Sequence, residues 1–278
     1  MVLGRRESCG GKLVTVTESG GGSSHGAPII ETKGISKQWG SVHALHEVDF
    51  AVYPGEVVGI VGDNGAGKST LINIIAGALH PTTGSIFVDG KEVHFKTPTD
   101  SRDAGIETVY QDLALAPDLS IWANLFLGRE ITKSGPLGWI GWLDRKAMIE
   151  QAVKDLDRTQ IRISSVNQRV GRLSGGQRQA VAVGRAIAWG SHVVLMDEPT
   201  AALGVEQQAR VAELIRTVAT HGVPVVLISH NLPQVHAVCD RIIVLFRGRI
   251  VAEVRPQDAS IDEIVSYITG SSTVKAAE

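Results

Sequence analysis

The chain has 278 residues, 43% of them hydrophobic, enough to bury the core of one large domain or two small ones. Its 27 Lys and Arg against 29 Asp and Glu leave a net charge of −2, which gives neither the basic excess of a duplex-binding protein nor the acidic excess of a disordered one. The longest apolar runs, Val225–Ser229 and Ile242–Phe246, fall far short of the roughly 20 residues that span a bilayer, and two cysteines, Cys9 and Cys239, exclude a disulfide framework and fit a reducing compartment such as the cytosol.

Residues 1–27 carry Gly10-Gly11 and Gly20-Gly21-Gly22-Ser23-Ser24 with no sustained apolar run, so a mostly disordered tail is expected and a signal-peptide core is not. Gly22-Ser23-Ser24-His25-Gly26 matches the G-x-S-x-G of serine hydrolases, but that motif needs a strand before it and a helix after it, and Ala27-Pro28 and a β-like stretch follow instead. We assign it to chance. Strands are predicted near 29–39 and 48–52, then in the buried run Val57–Val61. Leu71, Ile74, Ile75 and Leu79, spaced by three and four, predict a helix over 68–79, ended by Pro81-Thr82-Thr83-Gly84. A hairpin over 85–93 and a short strand over 107–110 lead into a helical block, about 112–189, that reads as an insertion. Strand and helix then alternate over 192–196, 205–220, 223–229, 231–240, 241–246, 249–254 and 260–269. The expected fold is α/β, with a mainly parallel sheet and helices on both faces. His43 and His46 lack carboxylate or cysteine companions and read as structural, not metal-binding.

Gly62-Asp63-Asn64-Gly65-Ala66-Gly67-Lys68-Ser69-Thr70 satisfies G-x-x-x-x-G-K-[ST] between an apolar strand and an amphipathic helix. Glycines let successive N–H groups turn toward phosphate oxygens, and the helix N-terminus adds positive dipole character. Lys68 would bridge the β- and γ-phosphates of a nucleotide and the Ser69 hydroxyl would hold Mg²⁺. G-x-G-x-x-G is absent, which removes the main support for a nicotinamide enzyme. Val193-Val194-Leu195-Met196 ends in Asp197-Glu198, where Asp197 can coordinate Mg²⁺ and Glu198 can polarise the water that attacks the γ-phosphate.

Leu173-Ser174-Gly175-Gly176-Gln177 stands before that strand and opens a predicted helix over 177–189. Together with the two sites above, this sequence resembles the ATP-binding cassette (ABC) ATPases, whose signature is LSGGQ. The remaining motifs fall in family order. Gln111 in Val109-Tyr110-Gln111-Asp112 is similar to the Q-loop, a metal-contacting and catalytic position; His230 in Ile228-Ser229-His230-Asn231 is similar to the switch histidine; and Trp39 matches the aromatic position on which adenine stacks. The resemblance spans about residues 28–269. It implies a P-loop NTPase with an antiparallel β subdomain and an inserted α-helical subdomain: core 28–111 and 190–278, helical subdomain 112–189.

The resemblance also implies that two cassettes pair head to tail, so that Ser174, Gly175, Gly176 and Gln177 serve the partner's ATP, the partner being a second copy or a related cassette. In the family an Asp usually follows Glu-Pro-Thr at the dimer interface, and here Gly204 stands at that place. The P-loop, Tyr110–Leu115 and Asn124–Glu130 resemble ATPases of bacterial monosaccharide importers of the ribose, xylose and fructose type, here with one cassette instead of two in tandem. That implies a peripheral subunit on the cytoplasmic face of the inner membrane, working with an integral membrane permease and, indirectly, a periplasmic sugar-binding protein, with ATP and Mg²⁺ and no nucleic acid. The alternatives are an ABC ATPase for another cargo, such as amino acids or lipids, and a soluble ABC ATPase of DNA repair or translation.

Overall fold

The computed structural model describes residues 26–135, 139, 141–158, 163–200 and 203–271. Two sheets share its core. In the smaller, β1 (Ile30–Trp39) pairs antiparallel with β2 (Val42–Val52) on one edge and β4 (Thr83–Val88) on the other, and β5 (Lys91–Val93) completes the order β2-β1-β4-β5. The larger runs β10-β9-β3-β8-β7-β6. Within it β3 (Val57–Val61), β6 (Ile106–Val109), β7 (Val193–Asp197), β8 (Val225–Ile228) and β9 (Arg241–Phe246) are parallel, and β10 (Arg249–Val254) returns antiparallel on β9.

Strand alternation divides the larger sheet between two cores. Val58, Ile60, Leu195, Val226, Ile228, Ile243 and Leu245 pack with the smaller sheet and α1 (Lys68–Ile75). Val57, Val61, Val194, Met196, Leu227 and Val244 face the opposite way. They pack with α5 (Gly175–Trp189), α6 (Val205–Thr220), α7 (Leu232–Val238) and α8 (Ile261–Thr269). Both faces are covered, so the strands read as unbroken apolar runs. Gly59 lies mid-strand because α7 comes so close: a Cβ there would sit 2.6 Å from Val235 Cγ1 and 2.9 Å from Cys239 Sγ. Burial pushes the Cys239 thiol up to about 12, which makes it an inert apolar filler.

A third cluster is the core of the expected helical block. Ile121, Leu125, Phe126, Met148, Ala152, Leu156, Val170, Leu173 and Val181 bring together α3 (Ile121–Leu125), α4 (Arg145–Arg158), a 3₁₀ turn at Val170–Arg172 and the first half of α5. The second half of α5 contributes Ala182, Val183 and Ala186 to the sheet's core.

Two further differences have local causes. The helix expected over 68–79 stops at Ile75, and Gly77 follows at φ +70, where an added Cβ would lie 2.7 Å from Thr97 O. A short helix, α2 (Pro98–Asp103), joins the expected elements; Thr97, Pro98 and Asp100 form a capping box with proline in the first turn. The expected tail, apart from Gly26 and Ala27, lies outside the described residues, as do all but Gly26 of the G-x-S-x-G match and both Ala201 and Ala202.

Candidate active site

The register Ile60↔Ile228 and Asp197↔Ile228 brings the ends of β3, β8 and β7 side by side. Gly62–Gly67, Ser229-His230 and Glu198 therefore leave the same edge of the parallel sheet, the crevice where open α/β sheets hold ligands. Gln111 arrives just after β6. A cleft of about 470 Å³ results, lined by Asn64, Gly65, Ala66, Gly67, Lys68, Ser69, Thr70, Gln111, Asp197, Glu198 and His230, with Ala44 and Ile228. Gly62 and Asp63 border an adjoining pocket shared with Lys68, Ser229 and Leu232.

The loop's shape depends on two glycines. A Cβ on Gly62 would lie 2.3 Å from Leu245 O, and one on Gly67, which has φ +105, would lie 2.7 Å from both Ala44 O and Leu45 Cδ2. Lys68 opens α1 and folds back over the loop, its Nζ donating to Gly62 O at 2.7 Å and Asp63 O at 2.9 Å. Burial pushes the Lys68 ammonium below the usual lysine range, against the opposing pull of Glu198, Asp63 and Asp197. No residue in the first turn of α1 itself is acidic, and the positive end of the helix faces the cleft. A glycine-rich cradle, a helix N-terminus and a half-buried ammonium fit a polyphosphate.

Asp197 is half-buried, and burial raises its carboxyl pKa; a hydrogen bond from the Ser69 hydroxyl works the other way, Glu198 adds to the rise and Lys68 opposes it. Ser69, Asp197 and Gln111 thus all offer oxygen atoms to the cleft, ligand types suited to a hard divalent cation. Glu198, directly after β7, has φ +51, a left-handed conformation that a non-glycine residue keeps only where its surroundings impose it. Its N–H donates to Ile228 O at 2.9 Å, and its Oε2 lies 2.7 Å from His230 Nδ1. The carboxylate is 16% exposed and the imidazole 72%, so the histidine is steered from the buried side and open on the other.

The structure thus brings together the P-loop, Gln111, Asp197, Glu198 and His230. Trp39 and the signature residues do not line this cleft. Trp39 ends β1 at 46% exposure, with the Lys37 ammonium 5.3 Å from its ring centroid. Ser174 caps α5, its Oγ accepting from Gln177 N at 3.3 Å while Gln177 Oε1 accepts from Ser174 N at 3.0 Å. His43 and His46 stack at 5.0 Å between ring centroids. Sequence reading missed Ala44 and Ile228. Ile228 is signalled by its place before Ser229-His230, whereas Ala44 is delivered by the β1–β2 ribbon and has no local signal.

A family model described as "ABC transporter" matches residues 45–201. The chain belongs to the ABC transporter family. It binds ATP and is an ATPase of that family. The cassette is 51% identical over 246 residues to the fructose import ATP-binding protein FrcA of Rhizobium meliloti, covering 88% of this chain and 95% of that one. It is 46% identical to the xylose/arabinose import ATP-binding protein XylG of Sulfolobus acidocaldarius, covering 87% and 94%. Against the ribose import ATP-binding protein RbsA 2 of Escherichia coli O157:H7 identity is 38%, and the match spans 47% of that longer chain. Among solved structures, a nucleotide-free ATP-binding cassette from an ABC transporter superposes with TM-score 0.74 at 29% identity, covering 87% of this chain and 96% of that one. A dimeric cassette in a post-hydrolysis state bound to ADP and Pi gives TM-score 0.68 at 28% identity, covering 82% and 98%. No helix among the described residues is long and apolar enough to cross a membrane.

Proposed function

We propose that this cassette is the ATP-hydrolysing subunit of a monosaccharide importer, peripheral to the cytoplasmic face of the membrane. It would act with a second cassette, an integral permease and, on the far side, a sugar-binding protein. The observation that carries the cargo class is near-full-length identity of 51% and 46% to fructose and xylose/arabinose import ATP-binding proteins. The core 28–111 and 190–278 would carry the nucleotide, and the block 112–189 would meet the permease.

In this reading the amides of 62–67 and the Lys68 ammonium hold the β- and γ-phosphates, with Thr70 behind them at the start of α1. Ser69, Asp197 and Gln111 would hold Mg²⁺, which supplies neutralisation of phosphate charge. Glu198 takes the proton from the attacking water, and His230, held on Glu198 Oε2, turns its exposed edge toward the γ-phosphate. Trp39 stacks on adenine. Ser174, Gly175, Gly176 and Gln177 lie outside the cleft their own chain builds, and they act on the nucleotide of the second cassette: the α5 N-terminus donates its free N–H groups to that γ-phosphate.

The test is phosphate release by the cassette reconstituted with its permease and binding protein, against a panel of monosaccharides and amino acids. Stimulation by one or more monosaccharides is expected; stimulation by amino acids alone would replace the cargo class.

A further inference from the structure

The loop leaving Glu198 and the loop carrying His230 are joined by side-chain hydrogen bonds outside the cleft. Buried Thr200 donates through Oγ1 to Gln234 Oε1 at 2.7 Å. Gln208 Nε2 donates to the carbonyls of Leu203 at 2.9 Å and Thr200 at 3.4 Å, while its Oε1 accepts from Asn231 Nδ2 at 3.3 Å. One amide thus grips the backbone after Glu198 with its donor and the neighbour of His230 with its acceptor. Gln207 turns to the other side. Its Oε1 accepts from Gly204 N at 3.2 Å, and its side chain covers Gly176, where an added Cβ would meet Gln207 Cδ at 2.9 Å and Cγ at 3.0 Å. Gly204, exposed and without a side chain, can make neither tie itself.

We propose that Gln207 and Gln208 are positioning residues that link the signature turn at Gly176 to the His230–Glu198 pair of the same chain. They stand next to each other on the first turn of α6 and reach opposite ways. Displacing Gln207 from Gly176 pulls on the Gly204 amide; Gly204 and Leu203 are adjacent, and Gln208 passes the shift from the Leu203 carbonyl to Asn231 and so to His230. The Gln208 step needs a group that both donates and accepts, which an amide does and neither a carboxylate nor an alkyl chain can, whereas the Gln207 step needs an acceptor for the Gly204 amide on a chain long enough to cover Gly176. This rests on the shared-site reading above, in which Gly176 serves the second cassette's nucleotide.

The experiment uses the full chain with Gln208→Leu, Gln208→Glu, Gln207→Ala and the Gln207/Gln208 double variant. Three readouts are kcat and KM for ATP, hydrogen exchange of peptides over 229–234 without nucleotide, and ATP-dependent dimerisation of each variant in the Glu198→Gln background. Gln208→Leu should lower kcat about tenfold with KM changed less than about twofold, and should speed exchange at 229–234, as expected when the hydrogen bonds holding one loop are lost. Gln208→Glu keeps the acceptor for Asn231 and should lie between. Gln207→Ala should weaken the ATP-bound dimer about tenfold, and the double variant should fall short of the product of the two single effects. Unchanged exchange and kcat in Gln208→Leu, or effects that simply multiply, would overturn the link. The parent Glu198→Gln chain separates the two readings: if it stays monomeric with ATP, the shared site fails and the signature arm of the link with it, whereas a dimerising parent with indifferent variants refutes the link alone.

Discussion

Replacing Glu198 by glutamine separates holding the nucleotide from cleaving it. The amide is nearly the same shape, its oxygen or nitrogen can keep the 2.7 Å contact with His230 Nδ1, and the backbone bond from residue 198 to Ile228 O is untouched, so the site keeps its geometry. What is lost is the proton acceptor. A positioned general base contributes about 10²–10⁴ in rate, or about 2.7–5.4 kcal/mol of barrier, so kcat should fall by that factor. Binding should not fall with it. Glu198 is the strongest of the three carboxylates that favour the charged form of Lys68, and its removal leaves one less negative charge near the phosphates. The ATP dissociation constant should stay within about threefold, a change under 1 kcal/mol. Because the nucleotide then persists, ATP should convert the variant from monomer to dimer. The assays are phosphate release at saturating ATP, equilibrium binding, and sedimentation velocity with and without ATP. Cleavage at the wild-type rate would refute the catalytic role of Glu198; tight binding without dimerisation would point to a different partner cassette.

Asp197→Asn should stabilise the nucleotide-free protein while abolishing Mg²⁺-dependent hydrolysis. Burial raises the Asp197 pKa, so its charge penalises the fold above the folded-state pKa, and the penalty disappears as pH falls through that value; the melting-temperature advantage of the variant should therefore be largest near neutrality and shrink on acidification. Arg241→Met should cost about 3–5 kcal/mol, or about 6–20 °C in melting temperature, because it strands the buried Glu56 carboxylate that Arg241 holds at 2.7 and 3.0 Å, and adding Glu56→Leu should recover most of the loss. Trp39→Ala should weaken ATP binding by about 1–3 kcal/mol with little change in melting temperature, since the ring is half exposed; the reverse pattern would make it a packing residue.

The parallel core was legible because it is buried on both faces, which writes Val57–Val61 and Val193–Met196 as unbroken apolar runs, and because a glycine-rich turn and an acidic pair must follow them. Helices with a clear period or cap were legible for the same local reason: α6 spans the range its periodicity predicts, and α8 starts one residue after Ser260, its cap. Elements set by tertiary pairing were not. β2 begins at Val42 instead of near 48 because β1 carries it outward through several register shifts, and nothing in His43–Glu47 alternates cleanly enough to announce a strand. The residues of the cleft were readable as motifs, and their meeting was expected from the roles they share, but the individual contacts were not. The bond between Ser69 and Asp197 and the one between His230 and Glu198 join residues far apart in sequence, and only strand order brings them within reach.

Gly59 sets a thickness limit. The strand that delivers Lys68 and the helix that begins just after His230 lie back to back, too close for even a single methyl group to enter without a shift. A Gly59→Ala chain should push the Val235 and Cys239 side chains outward, and a shift of α7 with them would carry the imidazole just before that helix. The spacing between Lys68 and His230 across the cleft is thus gauged from behind the sheet. Changes at Val235 or Cys239 that enlarge the side chain should therefore cost about 1–3 kcal/mol in stability and shift the segment that carries His230 as well, so that this apolar seam ties folding to the geometry of the cleft.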